Sequence, residues 1–217
     1  MPKRFLIADD HPLFRSAMRS ALVTRFPDAA IEEVGDISTL QQAITEHSDI
    51  DLLLLDLHMP GAQGFSALIH IQAQHPEIPL MVVSASETEE VMCRAIDYGA
   101  SGFLPKSSSV EQISRAVQQV LDGQRWLPEN VKYQPTSGSS EKTIAEVVAS
   151  LTPQQFRVAN YLVQGLLNKQ IAWELHVTEA TIKAHITEIF RKLGVHSRTQ
   201  AVLMLSQLEI NTPSLDP

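Results

Sequence analysis

The chain has 217 residues, 44% of them hydrophobic, and a formal net charge of −8. That length suits one large domain or two small ones, and the apolar share is ample for ordinary globular cores. No apolar run reaches the roughly 18 residues of a spanning helix, no signal-peptide apolar region opens the chain, and a lone cysteine, Cys93, excludes a disulfide framework or a cysteine zinc site, so a cytoplasmic protein with no membrane partner is expected.

The charge is unevenly spread. Residues 1–127 carry 9 Lys+Arg against 17 Asp+Glu, residues 128–149 carry 2 against 3, and residues 150–217 carry 6 against 5. Any nucleic-acid binding by the near-neutral last part must rest on locally placed cations rather than on bulk charge.

In chain order, the first 123 residues alternate strand-like and helix-like segments. Strands are predicted at 4–8, 31–34, 51–56, 79–84 and 101–104, and amphipathic helices at about 12–25, 38–47, 64–74, 87–98 and 109–122, with Gly99 and Gly123 suited to helix ends. Five βα units in this length predict a doubly wound, five-stranded parallel sheet. The four leucines of Leu52-Leu53-Leu54-Leu55 read as a strand buried on both faces.

Residues 124–148 read as a linker, with Pro128, Pro135 and Ser137-Gly138-Ser139-Ser140, although about 141–149 is helix-compatible. A small all-α domain is predicted over 149–217. Thr152, Pro153 and Gln155 form a helix start with a capping box, Leu151 and Phe156 are spaced for a hydrophobic staple, and Gly165 ends that helix. A short helix at 167–174, a turn at Leu175-His176-Val177 and a helix from Thr178 to Leu193 follow, stopped by Gly194. In the last of these Ile182, Ile186, Ile189 and Leu193 form an inward stripe, while Lys183, Thr187 and Arg191 share another face. Two short helices joined by a tight turn, the second with a polar and cationic face, describe a helix-turn-helix; a helical bundle with a merely solvated face fits the same pattern.

The chemistry concentrates at strand ends. Asp9-Asp10 closes one apolar run and Asp56 closes another, at the carboxyl ends where open α/β sheets bind ligands. Mg²⁺ takes one or two carboxylates together with phosphate oxygens, and a carboxylate can itself accept a phosphoryl group. Ser84 and Lys106 end two further strands and are placed to meet phosphoryl oxygens. Taken singly each residue has a commoner reading: a strand-end Asp or Ser is usually a turn residue, and a lone Lys is usually solvated. Their joint occurrence on different strands is the specific signal.

Asp9-Asp10, Asp56-Leu57-His58-Met59-Pro60, Gly64, Ser84 and Phe103-Leu104-Pro105-Lys106 closely resemble the flavodoxin-like receiver domain of bacterial two-component response regulators, over about 1–123. The resemblance implies that Asp56 accepts phosphate from a sensor histidine kinase. It implies Mg²⁺ on Asp10 and Asp56, with Asp9 assisting and the His58 main-chain carbonyl as a further ligand. Ser84 and Lys106 would sense the phosphoryl group, Phe103 would be the switch aromatic, and His58 and Ser86 would tune dephosphorylation.

The second half resembles the LuxR-type helix-turn-helix through Leu151-Thr152-Pro153, Gly165, Asn168-Lys169-Gln170-Ile171-Ala172, Thr181-Ile182-Lys183-Ala184-His185, Arg191-Lys192-Leu193-Gly194-Val195 and Ser197-Arg198-Thr199-Gln200-Ala201. Together the two halves resemble a NarL/FixJ-type response regulator, a phosphorylation-gated transcription factor that is not an enzyme. The resemblance implies that Lys183, Ala184 and Thr187 face base edges of double-stranded DNA, and that Lys169, Thr181, Arg191 and Lys192 meet phosphates. It implies a homodimer on DNA through a terminal helix at about 199–209, by residues such as Val202 and Met204, with RNA polymerase a candidate further partner. In relatives the inactive receiver covers the recognition helix and activation frees it to dimerise on DNA; for this chain covering and dimerisation both stay open as the dominant device. Gln154-Gln155, Trp173 and Thr187 depart from the usual pattern; Trp173 is expected to be packed, and the short Thr187 beside Ala184 leaves more of the readout to DNA shape. An aspartate-nucleophile phosphohydrolase and an output domain that binds protein rather than DNA are the competing readings.

Overall fold

A computed structural model describes residues 2–62, 64–135 and 138–210, with the side chains of Ser139 and Ser140 excepted. Part of the expected linker, at 136 and 137, and the end of the C-terminal domain beyond 210 lie outside the described residues.

The first half runs β1 (Arg4–Ala8), α1 (Pro12–Arg25), β2 (Ala30–Val34), α2 (Ile37–Glu46), β3 (Leu52–Asp56), α3 (Ser66–Gln74), β4 (Leu80–Ser84), α4 (Glu89–Asp97), β5 (Gly102–Pro105) and α5 (Val110–Leu121). The strands are all parallel, in the order β2-β1-β3-β4-β5, so the strand order reverses between β1 and β3, where doubly wound sheets hold their ligands. Every predicted strand and helix of this half is present, displaced by at most a residue or two at each end. The leucine run divides by the two-residue period of a strand: Leu53 and Leu55 join the core on one face, Leu52 and Leu54 the core on the other. Burying each such side chain contributes about 1.5–3 kcal/mol.

The second half is helical: α6 (Ser139–Ala149), α7 (Pro153–Val163), α8 (Asn168–Glu174), α9 (Glu179–Leu193) and α10 (Arg198–Leu205), closed by a 3₁₀ turn at Ser206–Leu208. The capping box at Thr152 and Gln155 is formed, with Pro153 in the first turn of α7. Gly194 ends α9 at φ 67°, in the left-handed region where a side chain is disfavoured. The helix inside the expected linker, α6, packs on α3 rather than standing free.

Helix α3 explains why the halves meet. Ala67, Leu68, Ile69, His70 and Ile71 are all buried, and a helix apolar on every side must be covered on every side. Its inner side lies on the sheet, and its outer side meets α6 and α7. His70 stacks on Phe156 of α7, ring centroids 4.1 Å apart and nearly coplanar. The core on this face is consequently one cluster running from Leu53 and Leu68 to Phe156 and Leu208.

Candidate functional site

Asp56 ends β3 and Asp9-Asp10 follows β1; Asp9 and Asp56 are each only 2% exposed. Ser84, at the end of β4, is fully buried, and Lys106 follows β5. The register of neighbouring strands brings these ends together. Lys106 Nζ lies 2.9 Å from Asp56 Oδ2 and 2.6 Å from Asp9 Oδ2, and its ammonium also sits 4.8 Å from the centre of the Phe14 ring. Burial works against the Lys106 charge, but its pairing with the Asp9 and Asp56 carboxylates outweighs that, and its pKa is raised. Backbone groups set the loops: His58 N donates to Asp56 Oδ1 at 3.2 Å, Ser86 N to Ser84 Oγ at 3.1 Å, and Lys106 N to the Ser84 carbonyl at 2.8 Å. Phe103 is wholly buried in β5.

The residues fit a hard divalent cation. One ligand atom from each of Asp9, Asp10, His11 and Asp56 lies within 4.8 Å of the others, against a diameter of about 4.2 Å for an Mg²⁺–oxygen shell. Asp9 Oδ2 and Asp10 Oδ1 are buried and accept no well-aligned hydrogen bond, although Lys106 and His11 approach them closely. Such acceptors are what a cation satisfies. His11 was not foreseen there: its backbone N donates to Asp9 Oδ1 at 2.7 Å and its Nδ1 lies 2.6 Å from Asp10 Oδ1. Its place directly after Asp9-Asp10 was the available signal; the direction of its ring was not.

A cleft of about 520 Å³ opens beside this pocket. Asp10, His58, Pro60 and Gly64 line it from the receiver side, and Gln164, Glu209 and Ile210 from the helical domain. Below it the halves are tied. Phe65 N donates to the Leu208 carbonyl at 3.0 Å. Arg94, buried on α4, lies over the Phe65 ring at 4.7 Å, donates to the Gln207 carbonyl at 3.2 Å and pairs with Glu141 of α6 at 3.5 Å. Tyr98 donates to the same Glu141 at 3.0 Å, and burial, with that hydrogen bond, pushes the phenol up to about 12. An arginine in a helix ordinarily reads as solvated, so the sequence offered no sign of this clasp.

In the helical domain α8 and α9 are joined by Leu175-His176-Val177, with His176 at φ 53°. Thr178 caps α9 by accepting from Thr181 N. Ile182, Ile189 and Leu193 are buried and Ile186 half-buried, the expected inward stripe. Lys169, Thr181, Lys183, Ala184, Thr187 and Arg191 are all exposed. Two of the cations are engaged: Arg191 pairs with Glu188, and Lys192 Nζ donates to the Ser150 carbonyl at 2.7 Å and to Gln155 Oε1 at 2.9 Å. Trp173, expected to be packed, is 73% exposed because it points away from the stripe that buries Ile171 and Ala172. On α10, Val202 and Met204 are half-buried, and their neighbour Leu203 is the exposed one, at 64%.

Comparison with known proteins places both halves. Residues 5–118 match the response regulator receiver domain, and residues 149–205 match the bacterial regulatory proteins of the luxR family. The chain is 39% identical over 212 residues to the glycerol metabolism activator of Pseudomonas putida, covering 95% of this chain and 96% of that protein. It is 32% identical to the nitrate/nitrite response regulator protein NarL of Escherichia coli, over 96% of this chain and 97% of that one. Among solved structures it shares its fold with the RcsB response regulator of Salmonella typhimurium, at 22% identity and a TM-score of 0.56 over 95% of this chain and all of that one. A receiver carrying an acidic pocket at its sheet's switch point, joined to a LuxR-type helix-turn-helix, makes this chain a two-component response regulator of the NarL/FixJ family.

Proposed function

We propose that Asp56 is the phosphoacceptor and that its phosphorylation governs DNA binding by α9. The observation that carries this reading is the convergence of Asp9, Asp10, Asp56, Ser84 and Lys106 at one end of the sheet, in a chain that also presents an exposed helix-turn-helix face. A carboxylate oxygen of Asp56 attacks phosphorus, the O–P bond forms as the bond to the donor breaks, and the bonding pair leaves with the donor. Asp9, Asp10, Asp56 and the His58 carbonyl are the proposed holders of Mg²⁺, which when bound shields the charge shared by carboxylates and phosphoryl oxygens. Lys106 pairs with the phosphoryl group in place of one carboxylate, Ser84 donates to it, and Phe103 follows Ser84.

The physiological donor is a sensor histidine kinase and the target is double-stranded DNA. Lys183, Ala184 and Thr187 read base edges; Lys169, Thr181 and Arg191 contact phosphates, which position without specifying. Lys192 joins them only after leaving Ser150 and Gln155. The homodimer on DNA forms through α10, where Leu203 is the exposed apolar residue, and the exposed Trp173 is the candidate surface for RNA polymerase. Dimers of RcsB have been solved on DNA. The proposed boundaries are a receiver at 1–123, a connecting segment at 124–148 that includes most of α6, and the helix-turn-helix domain at 149–217. The protein acts in the cytoplasm as a regulator, not an enzyme; no described helix is long and apolar enough to cross a membrane.

Intact mass after incubation with Mg²⁺ and acetyl phosphate tests the pocket. One phosphoryl addition is expected, absent in Asp56→Asn and absent with chelator. An addition that survives Asp56→Asn, or sustained turnover of phosphate esters, contradicts the assignment.

A further inference from the structure

The cleft beside the acidic pocket is lined on one side by Asp10, His58 and Gly64 and on the other by Gln164, Glu209 and Ile210 of the helical domain. The Gly64 seam holds that second wall in place. Gly64 has φ +59°, and a Cβ added there would overlap the Leu208 carbonyl oxygen and sit 2.6 Å from Glu209 Cα. Only a glycine allows the two backbones to approach this closely. The adjoining Phe65 N to Leu208 carbonyl hydrogen bond and the Arg94 contact with Gln207 complete the tie.

We infer that the helical domain selects the phosphodonor: walled by Gln164, Glu209 and Ile210, the cleft beside Asp10 and His58 admits small phosphodonors to Asp56 and excludes a phosphohistidine carried on a protein helix until the Gly64–Leu208 seam opens.

Size decides this. A cleft of about 520 Å³ accommodates an acyl phosphate with its solvent. A phosphohistidine on a protein arrives on a helix about 10–12 Å across, side chains included, with neighbouring helices behind it, and must bring phosphorus within reach of a carboxylate that is 2% exposed. Gln164, Glu209 and Ile210 stand across the cleft from Asp10 and His58. Glu209 adds a negative charge to a mouth that already contains Asp10 and must receive an anion, which favours the open state once a phosphoryl group is bound. The coupling is reciprocal: whatever opens the seam admits the protein donor, and phosphorylation weakens the seam. In the protein-donor reaction the P–N bond breaks with its pair on the imidazole nitrogen, and the Asp56 O–P bond forms.

This inference rests on Asp56 being the phosphoacceptor, and the test separates the two. Full-length wild type, Gly64→Ala, Arg94→Ala and Asp56→Asn are phosphorylated with Mg²⁺ by acetyl phosphate and, separately, by an isolated phosphohistidine-bearing helical phosphotransfer domain. Melting curves by circular dichroism verify that each variant is folded. The rate with a donor that needs the open state scales with the open fraction. Both seam variants are therefore expected to accelerate the protein donor by about tenfold or more, with the acetyl phosphate rate of Arg94→Ala, which lies away from the cleft, changing less than about twofold. Arg94→Ala opens the tie away from the mouth, so it carries the test if Gly64→Ala does not fold. Equal acceleration with both donors, or none with the protein donor in a folded seam variant, overturns the inference. Labelling by either donor that persists in Asp56→Asn overturns the phosphoacceptor assignment instead.

Discussion

Lys106 holds the resting pocket together: its ammonium spans Asp9 and Asp56 where a cation and a phosphoryl group are proposed to enter. His70 is the second residue on which the resting arrangement turns. It is buried between the halves, stacked on Phe156 and hydrogen-bonded to the Val148 backbone, and burial lowers its pKa from 6.5 to about 4. A group whose pKa is lowered in the closed, folded protein contributes its full stability above pH 6.5. That stability is lost as pH falls from there towards about 4. At pH 5.5 the loss is about 1.4 kcal/mol, one pH unit below the free imidazole value. Urea denaturation of wild type is expected to show this decline and His70→Phe to lack most of it; parallel pH profiles would remove His70 from the account. On the DNA face, Arg191→Ala is expected to weaken binding alike on all sequences and to reduce the salt slope by about 1. Lys183→Ala is expected to cost about 1–3 kcal/mol and to relax preference at one base position. Filter binding across a salt series distinguishes the two, and a uniform loss from Lys183→Ala would reassign it to the backbone.

At the scale of elements, most of what positions the site was legible. Strand ends at Ala8, Asp56, Ser84 and Pro105 follow from short apolar runs bounded by turn residues, and their convergence follows from parallel topology. The capping signals of α7 and α9 depend on neighbouring residues only, and the caps formed as read. Thr152→Ala is expected to cost about 1 kcal/mol, seen as a lower urea midpoint with unchanged slope, since the Gln155 side chain that completes the cap also holds Lys192. An unchanged midpoint would show that tertiary packing alone fixes this helix. Less legible were features that depend on what lies opposite. Trp173, standing where a charged residue is more usual, read as a packing residue, yet the helix turns it outward. Arg94 resembled a solvated cation, yet Phe65 and Gln207 enclose it. One sign of the domain seam was present in the sequence: Ala67-Leu68-Ile69-His70-Ile71 is apolar around nearly its whole helix, more than a sheet alone can cover.

At the scale of the molecule, two domains share one core across α3, α6 and α7, and both line the cleft that holds Asp10 and His58. Lys183, Ala184, Thr187 and Arg191 stay exposed in this arrangement. On the proposed homodimer through α10, gating acts by restraint of that helix: α10 continues into the Ser206–Leu208 turn that docks on Phe65, and a terminal helix tied to the receiver is constrained from meeting its counterpart on a second subunit. Paired half-sites about one turn apart need that meeting. The most direct measurement is capture of genomic DNA fragments by wild type and Asp56→Asn, each with and without acetyl phosphate and Mg²⁺. Tighter capture on phosphorylation in wild type alone is the expected result. Capture that is equally tight in all four conditions, or that strengthens equally in Asp56→Asn, would contradict phosphorylation-gated DNA binding through Asp56.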